Sequence, residues 1–141
     1  MSFEIYTDGS CIGNPGPGGW AFIVIDKNAK DDDGSTSGVV HHESGYDKAT
    51  TNNRMEMMAI IKALEYGVKK KWDKIKIHSD SNLLVSTINL GWKKKANLDL
   101  WLEMEKLLSK IKIDISWVKA HDKNIYNNMV DELAFNAASK K

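Results

Sequence analysis

The chain has one cysteine, Cys11, so no internal disulfide can form, and nothing stands at zinc-ligand spacing from it. A reducing compartment agrees with this, and structural zinc is not expected. Long apolar runs are also missing; none approaches the roughly 20 residues that cross a bilayer as a helix. No membrane role is expected. An alternating stretch begins at Phe3 and leaves no room for the basic and apolar regions of a signal peptide, which makes cytoplasmic residence the expectation. Surplus charge of one sign is lacking too. The formal net charge is +1, whereas phosphate affinity normally comes from an excess of Lys and Arg. Distribution matters more than the sum, because lysines bunch at Lys69 to Lys71 and at Lys93 to Lys95, while Asp31 to Asp33 form an acidic knot. There is no internal repeat, linker or low-complexity segment. Gly13 to Gly19 lacks the Gly-Lys-Ser/Thr ending of a phosphate-cradling loop. No Gly-x-Ser-x-Gly elbow occurs, so Ser10 reads as a turn residue.

What remains is a chain of 141 residues, 42% hydrophobic and 28% charged, the composition of one globular domain spanning residues 1 to 141. A chain of that length can bury roughly two thirds of its unfolded surface. Residues 3 to 8 alternate Phe3, Ile5 and Thr7 against Glu4, Tyr6 and Asp8, which predicts a strand ended by the glycine-rich stretch Gly9 to Gly19. Ala21 to Asp26 and residues 37 to 44 predict two more strands, with turn chemistry at Asp32, Asp33, Gly34 and Ser35 between them. From Thr51 the period changes. Met57, Ile60, Ile61, Leu64 and Val68 mark one face of a helix capped by Thr51 or Asn52. Lys74 to Ser79 then reads as a strand, Ser81 to Leu90 as a short helix and Leu98 to Lys110 as a helix. Ile111 to Val118 follows as a strand and Asn128 to Ser139 as a final helix. Helical connections imply parallel pairing of the later strands. The expected architecture is α/β: a five-stranded mixed sheet, three antiparallel strands and then two parallel ones, flanked by helices.

Four acids stand where acids are costly. Glu56 lies one turn before Ile60 on the apolar side of its helix, and Asp131 shares a stripe with Ala134, Phe135 and Ala138. Asp8 and Asp80 are each placed at a strand end, on the parity opposite their apolar neighbours, so adjacent parallel strands would bring them to one sheet edge, where α/β folds bind ligands. Singly, each aspartate reads better as a turn former or a helix cap than as part of a site. As a set they would repel one another unless divalent cations joined them. Oxygen ligands select Mg²⁺ or Mn²⁺, and a pair of such ions suits in-line displacement at phosphorus.

The sequences around these acids are specific. Tyr6-Thr7-Asp8-Gly9-Ser10, Gly13-Asn14-Pro15-Gly16, Thr51-Asn52-Asn53-Arg54-Met55-Glu56, Ser79-Asp80-Ser81, and His121 followed by Asn127 and Asp131 together resemble the type I ribonucleases H, in order and over nearly the whole chain. The resemblance implies a ribonuclease H-like fold and cleavage of the RNA strand of an RNA–DNA hybrid, leaving 5′-phosphate and 3′-hydroxyl ends. Two Mg²⁺ ions, or Mn²⁺ in their place, are implied as cofactor, held by Asp8, Glu56, Asp80 and Asp131. His121 matches a loop histidine suited to proton transfer or product departure. Cys11, Asn14, Asn52 and Asn53 match positions that meet the hybrid in its minor groove, where 2′-hydroxyls mark RNA. Asn82 stands where many relatives have glutamine. Thr51 and Asn97 match a pocket for a DNA-strand phosphate.

The chain departs from the family pattern at three places. Ala49 replaces a usual basic residue two positions before Thr51, with Lys48 a substitute. The extra helix and basic protrusion of several bacterial relatives shrink to Trp92-Lys93-Lys94-Lys95, where Trp92 either stacks on substrate or closes the core. Weak, salt-dependent hybrid affinity is expected of the shortened segment. Asp122 to Tyr126 also lacks the usual glycine and proline. The expected partner is the hybrid, bound by a monomer. The alternatives are a hybrid-binding module that does not cleave, or a DNA-acting nuclease of the same superfold.

Overall fold

β-branched and aromatic residues crowd Phe3 to Thr7 and Trp20 to Ile25, and such runs can bury both faces only at the centre of a sheet covered on each side. The computed structural model, which describes residues 3–26, 38–119 and 124–139, places β1 (Phe3–Cys11) at that centre. β2 (Gly16–Asp26) and β3 (Val39–Thr50) follow, then α1 (Asn52–Lys69), β4 (Lys74–Ser79), α2 (Asn82–Leu90), α3 (Leu98–Leu108), β5 (Lys112–Trp117) and α4 (Ile125–Ala138). The sheet order is β3-β2-β1-β4-β5. β1 pairs antiparallel with β2 and parallel with β4, β2 pairs antiparallel with β3, and β4 pairs parallel with β5. The expected mixed sheet is therefore the one formed.

Each face of the sheet has its own core. On one, Ile5, Phe22, Val24 and Ile77 pack with Ile60 and Leu64 of α1, Leu84 of α2 and Met104 of α3. On the other, Tyr6, Ala21, Ile23 and Ile25 pack under Val130 and Ala134 of α4. Tyr6 is buried for that reason, so the alternation of β1 separates two cores and not a core from solvent. β3 is an edge strand, largely exposed, with Glu43, Asp47 and Lys48 along it.

The glycine-rich stretch does not end β1 at Asp8. β1 runs on to Cys11, and its ladder with β2 continues through Gly9↔Trp20 to Cys11↔Gly18. Asp8 thus lies inside the strand, not at its end. Glycine serves close approach here more than turning. A Cβ on Gly19 would stand 2.4 Å from the carbonyl oxygen of Ala134 and 2.5 Å from the Ala138 nitrogen, which lets α4 lie directly on β2. β3 also runs farther than expected, to Thr50, and residue 37 with the Asp32 to Ser35 turn lies outside the described residues.

Helix starts follow their caps. Thr51 Oγ1 accepts from the Arg54 N–H at 3.2 Å and starts α1. Asn124 Oδ1 accepts from the N–H groups of Tyr126 and Asn127, each at 3.0 Å. α4 therefore begins at Ile125, three residues before the expected Asn128, because it is Asn124 whose side chain caps the first turn. Phe135 also departs from expectation: it is 55% exposed, and the buried side of α4 is formed by Asn127, Val130, Ala134, Ala137 and Ala138. None of the described helices is long and apolar enough to cross a membrane.

Candidate active site

The parallel pairing Thr7↔Ser79 of β1 and β4 brings the next residues of each, Asp8 and Asp80, to one end of the sheet. α1 starts above β1 and delivers Glu56 from its second turn. One ligand oxygen from each of Asp8, Glu56 and Asp80 lies within 4.8 Å of the other two. Asp131, from α4, lines the same cavity and reaches the Asp8 carboxyl. The structure thus brings together all four carboxylates singled out from the sequence.

Burial decides the chemistry of this cluster. Asp8 is 2% exposed and Glu56 6%, and the Gly9 N–H donates to both, to Asp8 Oδ1 at 2.8 Å and to Glu56 Oε1 at 3.2 Å. That leaves Asp8 Oδ2 and Glu56 Oε2 buried with no hydrogen-bond partner. Buried carboxylate oxygens are costly without a compensating charge. Burial, and then the negative charge of Glu56, pushes the Asp8 carboxyl far above the usual range. Glu56 is pushed up to about 8, chiefly by burial, with the charge on Asp80 adding and hydrogen bonding with Asp8 and Gly9 opposing. Hard anionic oxygens, two of them buried and unsatisfied, are the donor set a small divalent cation requires. Asp8, Glu56 and Asp80 together could hold a metal ion.

The distance from β1 to α1 is set by Gly9. A Cβ there would stand 2.3 Å from the Glu56 nitrogen and 2.3 Å from the Met55 carbonyl carbon, so the helix could not seat. Gly9→Ala is expected to cost about 1–3 kcal/mol as overpacking against backbone, read as a lower urea midpoint. An unchanged midpoint would show that α1 can retreat freely and that Gly9 does not fix its position.

The other residues singled out from the sequence divide between the cavity and its rim. Asn52 and Asn53 line the cavity beside Glu56. Asn14 is exposed, and its Oδ1 accepts from the Asn52 N–H at 3.0 Å, tying the β1–β2 turn to α1. Cys11 is half-buried with Sγ 3.5 Å from the carbonyl oxygens of Gly16 and Thr50, outside the cavity lining. Thr51 is occupied as the α1 cap. Asn82 is exposed at the start of α2, its Oδ1 accepting from Ser86 Oγ at 3.4 Å. Trp92 is 47% exposed and does not close the core; Trp101, 7% exposed, fills that place, with Lys94 Nζ 5.3 Å from its ring centre. Asn97 lines a neighbouring cavity with Asn53 and Lys93 to Lys95. His121 lies outside the described residues.

Several contributors were not singled out from the sequence. The Gly9 N–H, shared by two carboxylates, is a backbone group and leaves no signature of its own. Ser10 and Ser81 line the cavity, and Ser81 caps α2 through a hydrogen bond from the Leu84 N–H at 3.3 Å. The Trp117 Nε1–H donates to the Asp80 carbonyl oxygen at 3.2 Å, fixing the chain beside that acid. Arg54 could have been noticed, since it is the only arginine and stands two residues before Glu56.

Known proteins agree with this geometry. A family model described as RNase H matches residues 1–139. The chain is 38% identical to the Ribonuclease H of Treponema denticola, covering 99% of each. It is 42% identical to that of Chlorobaculum parvum, covering 94% of this chain and 92% of the relative. With the Ribonuclease HI of Campylobacter jejuni it shares 43% identity, over 97% and 91%. Among solved structures, the N-terminal RNase H domain of a Mycobacterium tuberculosis protein superposes with a TM-score of 0.81 at 28% identity, over 98% and 94% of the two chains. An RNase H1 in complex with an RNA/DNA hybrid gives a TM-score of 0.76 at 25% identity, over 97% and 96%. From its motifs, its fold and the carboxylates gathered where the β1–β4 pairing ends, the chain belongs to the RNase H family.

Proposed function

We propose that this protein is a metal-dependent endonuclease that hydrolyses the RNA strand of RNA–DNA hybrids, leaving 5′-phosphate and 3′-hydroxyl ends, and that it works as a monomeric single domain. The observation that carries this reading is the convergence of Asp8, Glu56 and Asp80, with ligand oxygens within 4.8 Å of one another and buried oxygens of Asp8 and Glu56 left without partners. Two Mg²⁺ ions, or Mn²⁺, would be held by these three and Asp131. Such ions, when bound, supply charge neutralisation at the phosphate and a more acidic water.

The chain's own groups do the rest. The Gly9 N–H holds one oxygen each of Asp8 and Glu56, so the remaining oxygens keep fixed directions. Asn52 and Asn53, on the same first turn of α1 and lining the cavity, would meet the hybrid in its minor groove, where 2′-hydroxyls distinguish the strand to be cut. Asn14, Cys11 and Asn82 would extend that contact, and Thr51 and Asn97 would take a DNA-strand phosphate. His121 would move a proton or ease product departure. The exposed Trp92 and the lysines after it would contact the hybrid beyond the cavity.

One assay tests the reading. Labelled RNA–DNA hybrid, duplex DNA and duplex RNA are incubated with the protein in Mg²⁺, Mn²⁺ or EDTA. Cutting of the hybrid's RNA alone, abolished by EDTA, is the expected result. Cutting that survives EDTA, or equal cutting of duplex DNA, would falsify it.

A further inference from the structure

Arg54 stands between Asn53 and Glu56, and its guanidinium faces away from the carboxylates to bind the start of α3. Nη1 donates to Asp99 Oδ1 at 3.0 Å and Nη2 to Asp99 Oδ2 at 2.8 Å, while Nη1 also donates to Asn97 Oδ1 at 3.2 Å. Two parallel bonds to one carboxylate, with a third to an amide, need the planar fork of arginine; a lysine ammonium cannot reproduce them.

Asn97 is held unusually. It occupies the cap position of α3 but makes no side-chain capping bond, and its backbone is left-handed, at φ 56° and ψ 40°. Asparagine at a cap ordinarily turns its oxygen onto the helix N–H groups. Here that oxygen is spent on Arg54. An amide has acceptors at one end and donors at the other, so fixing Oδ1 leaves Nδ2 as the end offered to an acceptor. Asn14 is divided the same way, its Oδ1 taken by the Asn52 N–H. Both asparagines therefore offer donors, which suits phosphate and ribose oxygens and not base donors.

We propose that Arg54 is a positioning residue for substrate binding: by holding Asn97 Oδ1, and being itself held by Asp99, it fixes the Asn97 amide as a donor to a DNA-strand phosphate. This rests on the reading of Asn97 as a phosphate contact. The same arrangement ties the first two turns of α1, which carry Asn52, Asn53 and Glu56, to the start of α3. Placement of the scissile RNA strand and grip on the DNA strand are thus set from one helix.

The test is a double-mutant cycle on hybrid cleavage, with KM and kcat measured separately for Arg54→Gln, Asn97→Ala and the pair, all at a temperature where circular dichroism shows each folded. Arg54→Gln is expected to raise KM about 5- to 10-fold with a smaller change in kcat, and the double variant to be no worse than Asn97→Ala alone. Arg54→Lys, which keeps the charge but not the fork, should restore less than half of the lost affinity; it also serves if Arg54→Gln does not fold. Asn97→Asp keeps an acceptor for Arg54 but loses the donor, and should raise KM at least as much as Asn97→Ala. Hybrids with single neutral methylphosphonate linkages along the DNA strand locate the phosphate. One linkage should weaken wild-type binding but leave Asn97→Ala unaffected. If Asn97→Ala leaves KM unchanged and no linkage matters, the phosphate reading fails and the proposal with it. If Asn97→Ala raises KM but the Arg54 variants do not, or if the two effects multiply, Arg54 has no positioning role while the Asn97 reading stands.

Discussion

Asp8→Asn is expected to lower kcat by at least about 10³-fold, because a metal-bound carboxylate contributes several kcal/mol of charge stabilisation at the reacting phosphate. The fold should survive, since an asparagine oxygen can still accept from the Gly9 N–H that now binds Asp8 Oδ1 at 2.8 Å. In EDTA the variant should even be the more stable protein. Asp8 is buried beside Glu56, and with no cation bound the wild type must keep a proton there that the unfolded chain gives up near neutral pH, a cost that asparagine does not carry. Turnover of labelled hybrid, with urea unfolding in EDTA, measures both halves. Substantial activity in Asp8→Asn would take Asp8 out of the metal site. Lower stability in EDTA would mean that the cluster is not under electrostatic stress.

The pH dependence of stability carries the second large effect. Glu56 is held up to about 8 and Asp8 higher than its ordinary value, in both cases chiefly by burial. A carboxyl whose folded value is raised binds its proton more tightly in the native state. Its stabilising contribution is complete below the unfolded value, near 4, and is lost as pH rises through the folded one. In EDTA, stability should therefore fall between pH 5 and pH 8 by on the order of 2–4 kcal/mol. Millimolar Mg²⁺ should return most of it at pH 8, because a cation that binds only the native state stabilises it by mass action. Urea denaturation across that window, with and without Mg²⁺, gives the numbers. A flat profile in EDTA would sink the prediction, as would a slope that Asp8→Asn leaves unaltered.

Much of this was legible in the residues because the acids break local rules. Glu56 interrupts the apolar side of α1, and Asp8 and Asp80 follow strand patterns that leave them at one end of a parallel pair. Those are facts of period and parity, which a sequence displays. The role of glycine was not. Gly9 and Gly19 look like turn residues in a row of glycines, and only the packed structure reveals that helix backbone occupies the space of their missing side chains. The burial of Tyr6 is hidden for a similar reason: alternation along β1 cannot tell one core and solvent from two cores. Asn124 was passed over because capping is decided by hydrogen bonds, and several asparagines near it were equal candidates. The hold of Arg54 on Asn97 and Asp99 joins residues 43 and 45 positions apart, a distance at which no local pattern speaks.

The exposed edge at β3 has a consequence for how the molecule tolerates its own company. A strand with one unpaired side offers a row of N–H and C=O groups to any extended segment, and addition of a second chain there would begin aggregation. Mutual repulsion between copies offers little protection at a net charge of +1. Protection falls instead to Glu43, Asp47 and Lys48, charged side chains on the edge strand itself. Neutralising them is expected to lower the concentration at which copies begin to pair.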